Sequence, residues 1–283
     1  MEFAHSEKKL AYHCLAMKKL VIVKPGCREL GNELLNHMSI YAYGLEAGAQ
    51  VVNRSAYGHS GLQRGLHALY ARYIGYRYGA CALRAWRAPI FLPPTKPLPI
   101  ANSCDTIYFF GWVFRNPLGL QKYRKQLLKT FTPEPLQEKI KQIIAPWKGR
   151  LLIGIHVRKE DFKGFREGEF LVSLERVQEI VNEYVQEKNI SPKNVLLVIT
   201  SDLEVPAGAF DGFSTYMSYG NTQMNLFLLS KCSVVLGTNT TFSNLAAWFG
   251  NIPHIVTTNE PIDWTYYRTH EEYFENKYVT FAY

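Results

Sequence analysis

The amino-acid sequence predicts an α/β protein that contains parallel sheets. Short apolar runs rich in β-branched residues recur along the chain, and such runs are typical of strands buried on both faces of a parallel sheet. The clearest runs are residues 19–24, 151–155, 194–200 and 233–237. Apolar residues at helical spacing lie between them, at 34–48 and 170–188. Because 283 residues exceed one average domain, we expect two modest α/β domains or one large one.

Composition limits the class of protein. A hydrophobic content of 47% and an aromatic content of 14% favour a packed core and exclude a disordered chain. The net charge of +8 predicts an acidic partner: a nucleic acid, an anionic membrane surface or a phosphorylated ligand. Five widely spaced cysteines without a CxxC pair indicate neither a disulfide framework nor a zinc site. No run approaches a membrane span or a signal-peptide core, so we expect a cytoplasmic protein.

The first half predicts an amino-terminal domain over residues 17–147, preceded by a poorly ordered extension over 1–16. Its first strand leads through a loop containing Gly26 and Gly31 into the helix at 34–48. Backbone N–H groups at such a helix start can bind an anion or a sugar, although a tight turn with a capped helix has the same pattern. A strand at 106–112 and basic helices at 118–131 and 135–144 follow.

Residues 55–87 interleave aromatic and cationic side chains. This pattern fits a nucleic-acid surface, a surface that meets anionic lipid or a saccharide, or amphipathic helices whose tyrosines pack inward. The proline-rich stretch 89–99 predicts an extended surface loop. Prolines near 132–146 end this half, and we place the carboxyl-terminal domain at 148–283, with 264–283 packing back across the amino-terminal domain.

Charged residues follow the central strand of the second half. His156, Arg158 and Asp161 come after the apolar run 151–155, and ligands bind outside the carboxyl ends of strands in open α/β sheets. The planar fork of an arginine there suits a phosphate. A strand followed by a solvated turn is the alternative.

Two later strands end in the same way. Asp202 follows the run 194–200, where its carboxylate can accept two N–H bonds from a guanine edge or cap a turn. The run 233–237 is followed by 238–244, which is rich in hydroxyl groups, and then by an apolar helix at 245–249. Hydroxyl groups and free N–H groups at a helix start can form a phosphate cradle, and their number exceeds what one helix cap needs.

Taken together, these motifs resemble the inverting fucosyltransferase superfamily, which contains the α-1,2-fucosyltransferases, the α-1,6 enzymes and the protein O-fucosyltransferases. The shared marks are an amino-terminal G-x-x-x-G-N loop, an H-x-R-x-x-D segment and a late S/T-x-F-S segment after a serine–cysteine helix end. In this chain they stand at 156–161, at 229–243 and at 26–32, where four residues instead of three separate the two glycines. The order and spacing span most of residues 19–256.

The resemblance implies a GT-B glycosyltransferase with two Rossmann-like domains facing a cleft, and GDP-fucose held mainly by the second. The implied donor-binding residues are His156, Arg158, Asp202, Thr240, Thr241, Phe242 and Ser243. The implied residues of the acceptor and sugar cleft are Arg28, Gly31 and Asn32. Arg158 is the implied catalytic cation, and the candidates for the general base are Glu33, Asp161 and Glu29.

The resulting hypothesis is a fucosyltransferase that needs no cofactor and no metal, since the chain has no Asp-x-Asp motif. We expect a GDP-sugar donor and a glycan acceptor, a surface-polysaccharide or lipopolysaccharide precursor, with peripheral contact to an anionic membrane and no nucleic acid. The alternatives are a GT-B enzyme that uses another GDP-sugar and a basic nucleic-acid-binding protein. We expect an α-1,2 linkage, with α-1,6 or another linkage as the alternative, because Lys159 and Glu160 depart from the H-x-R-R-G-D pattern of the α-1,2 group.

Overall fold

The computed structural model of the protein describes residues 19–24, 30–53, 106–110, 114–158, 171–202 and 204–269. The chain divides into two compact units, residues 1–131 and 132–283. The predicted extension at 1–16, the aromatic and cationic stretch at 55–87 and the proline-rich stretch at 89–99 lie outside the described residues.

The first unit contains a parallel sheet with strand order β2-β1-β3. The strands are β1 (Lys19–Lys24), β2 (Gln50–Asn53) and β3 (Thr106–Phe110). Helix α1 (Leu30–Ala47) lies between β1 and β2 in the chain. The helix predicted at 118–131 is two helices, α2 (Pro117–Lys122) and α3 (Arg124–Phe131), separated only by Tyr123. The backbone hydrogen bonds continue through Tyr123, whose N–H donates to the Gly119 carbonyl.

The second unit contains a five-stranded parallel sheet with strand order β6-β5-β4-β7-β8. Its strands are β4 (Leu151–Val157), β5 (Val195–Ser201), β6 (Ser214–Met217), β7 (Val234–Gly237) and β8 (His254–Val256). Its helices are α4 (Glu134–Ile144), α5 (Leu174–Glu187), α6 (Thr222–Leu229), α7 (Thr241–Gly250) and α8 (Trp264–Thr269). The prediction of an α/β protein with parallel sheets is confirmed.

The two faces of this sheet carry different helices. Ile153, Ile155 and Val157 pack with the apolar side of α5 in one buried core. The residues between them face the other way, where a Cβ added at Gly154 would lie 2.9 Å from the Leu229 side chain at the end of α6. Helix α5 begins four residues later than predicted, because Ser173 accepts a hydrogen bond from the Arg176 N–H at 3.1 Å and caps the helix.

Strand β6 was not predicted. Ser214–Met217 lies at the edge of the sheet, and its burial is only partial. An edge strand that is solvated on one side lacks the continuous apolar run that revealed the inner strands.

The strand order reverses between β4 and β7. From β4 the chain moves outward through β5 to β6, and it then returns to the other side of β4 for β7 and β8. The connections after β4 and β7 therefore leave to opposite faces, and a crevice forms between them at the carboxyl ends of the strands. Within the described residues, no helix is long and apolar enough to cross a membrane.

Candidate functional site

The crevice between β4 and β7 brings together residues that are distant in the chain. His156 pairs with Gly237 across the two strands, and helix α7 begins four residues after Gly237. A Cβ at position 237 would lie 2.8 Å from Ser243 Oγ and 3.0 Å from His156 Cβ. Only glycine therefore lets the helix start approach the strand this closely.

His156 lies inside β4 and is buried. Its Nδ1 lies 2.7 Å from Ser243 Oγ, and its ring packs on the Phe242 ring with 4.7 Å between the centroids. Burial lowers the pKa of His156 to about 3, and the nearby charge of Arg158 adds to this effect. The expectation that the charged residues begin where the strand ends is therefore wrong for His156, which is a neutral residue within the strand.

The first turn of α7 contains three of the predicted donor-binding residues, Thr241, Phe242 and Ser243. Thr240 precedes this turn as its cap, because Thr240 Oγ1 accepts from the Ser243 N–H at 3.2 Å. The Thr240 hydroxyl also donates to Ser243 Oγ at 3.3 Å. The helix predicted at 245–249 begins four residues earlier than predicted, at Thr241. Threonine, serine and asparagine are more common at helix caps than inside helices, so residue type alone favoured a later start.

This helix start can bind an anion. The first N–H groups of a helix have no acceptor within it, and Thr240 satisfies only that of Ser243. Among the described residues, the N–H groups of Thr241 and Phe242 have no acceptor, and they lie at the end of the helix whose dipole attracts negative charge. The hydroxyl of Thr238, two residues before the cap, is buried and has no hydrogen-bond partner in the part of the chain that the structure describes.

Arg158 and Asp202 follow neighbouring strands. The last register pair of β4 and β5 joins Val157 to Ser201, so each of the two charged residues comes directly after this pair. Arg158 is half-buried and Asp202 is exposed. Asp161, in the segment 159–170, lies outside the described residues.

The other predicted residues lie in the first unit. Gly31, Asn32 and Glu33 form the first turn of α1, where Gly31 is buried and Glu33 is half-buried. Asn32 Oδ1 is buried and has no hydrogen-bond partner among the residues described. Arg28 and Glu29 lie outside those residues. The predicted roles of these residues stay predictions.

Sequence reasoning missed a second buried histidine on the same face of the sheet. His254, in β8, has Nδ1 at 2.8 Å from Asn244 Oδ1 and Nε2 at 3.2 Å from the Gly237 carbonyl oxygen. Asn244 Nδ2 in turn donates to Asn239 Oδ1 at 3.3 Å. The one signal in the sequence was a histidine within the short run 252–256, and this signal does not reveal its partners.

No group of three or more histidine, cysteine, aspartate or glutamate side chains that could hold a metal ion occurs among the described residues. The expectation that the protein needs no metal stays a prediction, and the chelator experiment below tests it.

Several solved structures resemble this one. The FUT1 R284K mutant of Arabidopsis thaliana in complex with GDP has a TM-score of 0.52 and 12% identity, covering 90% of this chain and 74% of that one. POFUT1 in complex with GDP has a TM-score of 0.50 and 10% identity, covering 85% and 98%. The α-1,6-fucosyltransferase NodZ, soaked with GDP-fucose, has a TM-score of 0.50 and 13% identity, covering 83% and 94%.

The chain has the GT-B fold of these fucosyltransferases. No protein-family model matches the chain, and no curated protein sequence does. At 10–13% identity the likeness is one of fold. Function must therefore be argued from the site itself.

Proposed function

We propose that the protein is a metal-independent inverting fucosyltransferase that moves L-fucose from GDP-fucose to a glycan acceptor. The observation that carries the proposal is the meeting of the β4 end with the first turn of α7 at the switch point of a parallel sheet. The start of α7 offers N–H donors to a phosphate, and Arg158 directly follows β4. The shared fold with proteins crystallised with GDP or GDP-fucose supports a nucleotide sugar as the ligand.

In this proposal, Arg158 and the start of α7 bind the diphosphate. Thr240, Thr241, Phe242 and Ser243 complete that pocket, and the buried contact between His156 and Ser243 holds the first turn against β4. The carboxylate of Asp202, after β5, accepts hydrogen bonds from the N–H groups of the guanine edge. His156 also lies near the guanosine in this proposal. Gly31 and Asn32 contact the sugar or the acceptor, together with Arg28.

The proposed reaction is a single displacement at C1 of fucose. The acceptor oxygen forms a bond to C1 while the bond from C1 to the β-phosphate oxygen breaks, and the electron pair leaves with GDP. The acceptor proton passes to a carboxylate, for which Glu33, Asp161 and Glu29 are the candidates. Negative charge that develops on the β-phosphate is stabilised by the Arg158 guanidinium and the helix N–H groups.

For the acceptor we infer a surface-polysaccharide or lipopolysaccharide precursor, and for the linkage α-1,2. The net charge of +8 favours contact with an anionic membrane that carries such a precursor. Vesicles with and without anionic lipid test the membrane contact. Analysis of the product by NMR tests the linkage, and a product with another linkage would overturn the α-1,2 assignment.

The donor is tested by thermal unfolding with GDP, GDP-fucose, GDP-mannose and UDP-glucose, with and without EDTA. A ligand that binds only the folded state raises the midpoint. We expect a rise with GDP and GDP-fucose that survives EDTA, and none with UDP-glucose. No rise with any guanine nucleotide would overturn the proposal, whereas an equal rise and turnover with GDP-mannose would assign another GDP-sugar.

Arg158→Ala tests the phosphate role. We expect kcat/KM to fall by about 150-fold or more, which is roughly 3 kcal/mol of transition-state stabilisation, with the fold intact. Arg158→Lys keeps the charge but loses the planar fork, so it should recover only part of the activity. Arg150→Ala is the matched control, since Arg150 precedes the opposite end of β4 and donates to the Val195 carbonyl. Activity of Arg158→Ala within a few fold of wild type would contradict the assignment.

A further inference from the structure

One aromatic side chain of the second unit is almost entirely exposed. Tyr219 follows β6 and is 91% exposed. The other exposed large hydrophobic residues that the structure describes, Leu45 and Leu118 in the first unit, are 38% and 43% exposed. Burying an aromatic ring stabilises a fold, because it removes a large apolar area from water. The ring of Tyr219 contributes little of this kind to the packing of the unit.

The backbone on both sides of Tyr219 is nevertheless held in place. The Ser218 N–H donates to the Ile199 carbonyl of β5 at 2.9 Å, and the Ser218 hydroxyl donates to Asn225 Oδ1 on α6 at 2.6 Å. On the other side, Asn221 caps α6 because its side chain accepts a backbone N–H at 2.8 Å. The loop therefore presents the ring from a fixed backbone, and a ligand that stacks on it does not have to order the loop first.

Tyr219 lies at the same edge of the sheet as Arg158 and Asp202. Ile199 pairs with Met217 in the register of β5 and β6, so Tyr219 lies level with the last residue of β5. Asp202 is the next residue of the chain after that strand. Neighbouring strands lie about 4.8 Å apart, so the end of β6 is about 10 Å from the end of β4.

The neighbouring strands β4, β5 and β6 are thus followed, in this order, by a cation, a carboxylate and an aromatic ring. A nucleoside diphosphate needs these partners in the same order. Its phosphates accept from a guanidinium, the N–H groups of a guanine edge donate to a carboxylate, and the flat face of the base stacks on an aromatic ring. A saccharide can also stack on a tyrosine, but it has no row of N–H donors beside a planar face. The carboxylate next to Tyr219 therefore favours a base.

We propose that the Tyr219 ring stacks on the guanine base of the bound nucleoside diphosphate, while the Asp202 carboxylate binds the edge of the same base. The inference rests on the proposed function, because it adds a residue to the donor site. Stacking is tolerant of base identity, since every base has a π face. Tyr219 therefore contributes affinity for the nucleoside, and Asp202 contributes the preference for guanine.

The first experiment measures the binding of GDP, IDP and inorganic pyrophosphate to wild type and Tyr219→Ala. The hypoxanthine of IDP lacks the amino group of guanine but has the same planar face. We expect Tyr219→Ala to weaken GDP and IDP by the same factor, about tenfold, which lies within the range for losing one stacked base. The affinity for pyrophosphate, which has no base, should stay at the wild-type value.

Three further variants of the site and one control make the result specific. Tyr219→Phe keeps the ring and should bind GDP like wild type. Tyr219→Leu keeps apolar area without the planar face and should recover only part of the affinity lost in Tyr219→Ala. Asp202→Asn should reduce the preference for GDP over IDP, because only guanine has the amino donor. Leu118→Ala removes an exposed apolar side chain from the first unit and should leave the affinity for GDP unchanged.

A second experiment detects the base beside the ring without measuring affinity. In protein labelled with 3-fluorotyrosine, the fluorine resonance that is missing from Tyr219→Phe belongs to Tyr219. We expect this resonance to shift with saturating GDP and not with pyrophosphate, because only the base brings a ring current to the fluorine.

Unchanged GDP affinity in Tyr219→Ala, or an equal loss of pyrophosphate affinity, would overturn the inference while the proposed function stands. Unchanged GDP affinity together with a raised KM for the acceptor would also overturn it, and would assign Tyr219 to the glycan. A fluorine resonance that does not shift with GDP would overturn it as well. Tyr219 is exposed, so its variants should fold. If wild type binds no guanine nucleotide, the proposed function fails first, and the inference fails with it.

Discussion

Helices α5 and α7 both follow central strands of the same parallel sheet, yet they satisfy their polar groups in opposite ways. Helix α5 has an exposed face on which Arg176 pairs with Glu179 and Glu183 at 3.0 and 2.8 Å. Helix α7 has no charged residue, and nine of its ten residues are buried. Water can therefore satisfy polar groups along α5, whereas those of α7 need protein partners.

The partners of α7 come from the sheet. His156, from β4, contacts Ser243, and His254, from β8, contacts Asn244. Both contacts lie in the first turns, next to the N–H groups that have no acceptor within the helix. Helix α7 contributes most to the candidate site, and buried neutral histidines hold its start. Helix α5 contributes mainly to the packing of the core.

The substitution that should reduce stability most removes a buried side chain of α5. Ile180 is fully buried under this helix, so Ile180→Ala should lower the free energy of unfolding by about 2–5 kcal/mol. Urea unfolding measures the loss, and the exposed change Gln186→Ala on the same helix is its control. GDP affinity of the folded variant should stay at the wild-type value. A tenfold weaker affinity would show that α5 is coupled to the site and that the contrast with α7 is false.

The next effect is a dependence on pH that comes from the histidines beside α7. The pKa values of His156 and His254, about 3 and 4 when folded, lie below the ordinary 6.5. Between these values and 6.5 the unfolded chain binds protons that the folded chain does not. Stability is therefore complete above pH 6.5 and falls as the pH drops, by about 1.4 kcal/mol per pH unit for each histidine.

His254→Gln isolates one of these contributions. The variant should lose stability less steeply than wild type between pH 6 and pH 5, by about 1.4 kcal/mol per pH unit. Urea unfolding at several pH values measures both slopes. Parallel slopes would mean that His254 is protonated in the folded protein, which contradicts the neutral network.

A smaller effect compares two threonines that are two residues apart. Thr240 and Thr238 are 3% and 4% exposed, but only Thr240 makes described hydrogen bonds through its hydroxyl. Thr240→Val should cost about 1 kcal/mol for the lost cap. Thr238→Val should be neutral or stabilising in the absence of ligand, because the hydroxyl that it removes is buried without a partner. Thermal unfolding measures the stability of both variants. An equal loss of stability would mean that the Thr238 hydroxyl makes a hydrogen bond in the folded protein.

The smallest effect is on the exposed face of α5. Glu179→Gln removes one ion pair of Arg176, whose guanidinium keeps Glu183 and the Thr258 and Glu260 carbonyls. We expect a loss below about 0.5 kcal/mol that disappears in high salt. A loss above about 1 kcal/mol that persists in salt would mean that the polar groups of α5 depend on protein partners as those of α7 do.

The inner strands could be predicted closely because a parallel strand buried on both faces needs a continuous apolar run. Strands β4, β5 and β7 lie within two residues of their predicted bounds. Strand β6 and the start of α7 could not be predicted, because edge position and burial are decided by neighbours that are distant in the chain. The prediction that polar residues gather after β4, β5 and β7 followed from the same strands, and the parallel sheet brings these positions to one edge.

Apolar periodicity and residue type are local properties, and they were enough to predict the parallel α/β architecture, an arginine after the central strand and a run of hydroxyl residues after β7. The tertiary structure alone decided that His156 and His254 are neutral and which residues they hold. The contact of His156 with Ser243 spans 87 positions, and no local pattern encodes it. Residue types thus indicate which chemical groups the site contains. The protonation and the orientation of those side chains depend on their burial against the sheet.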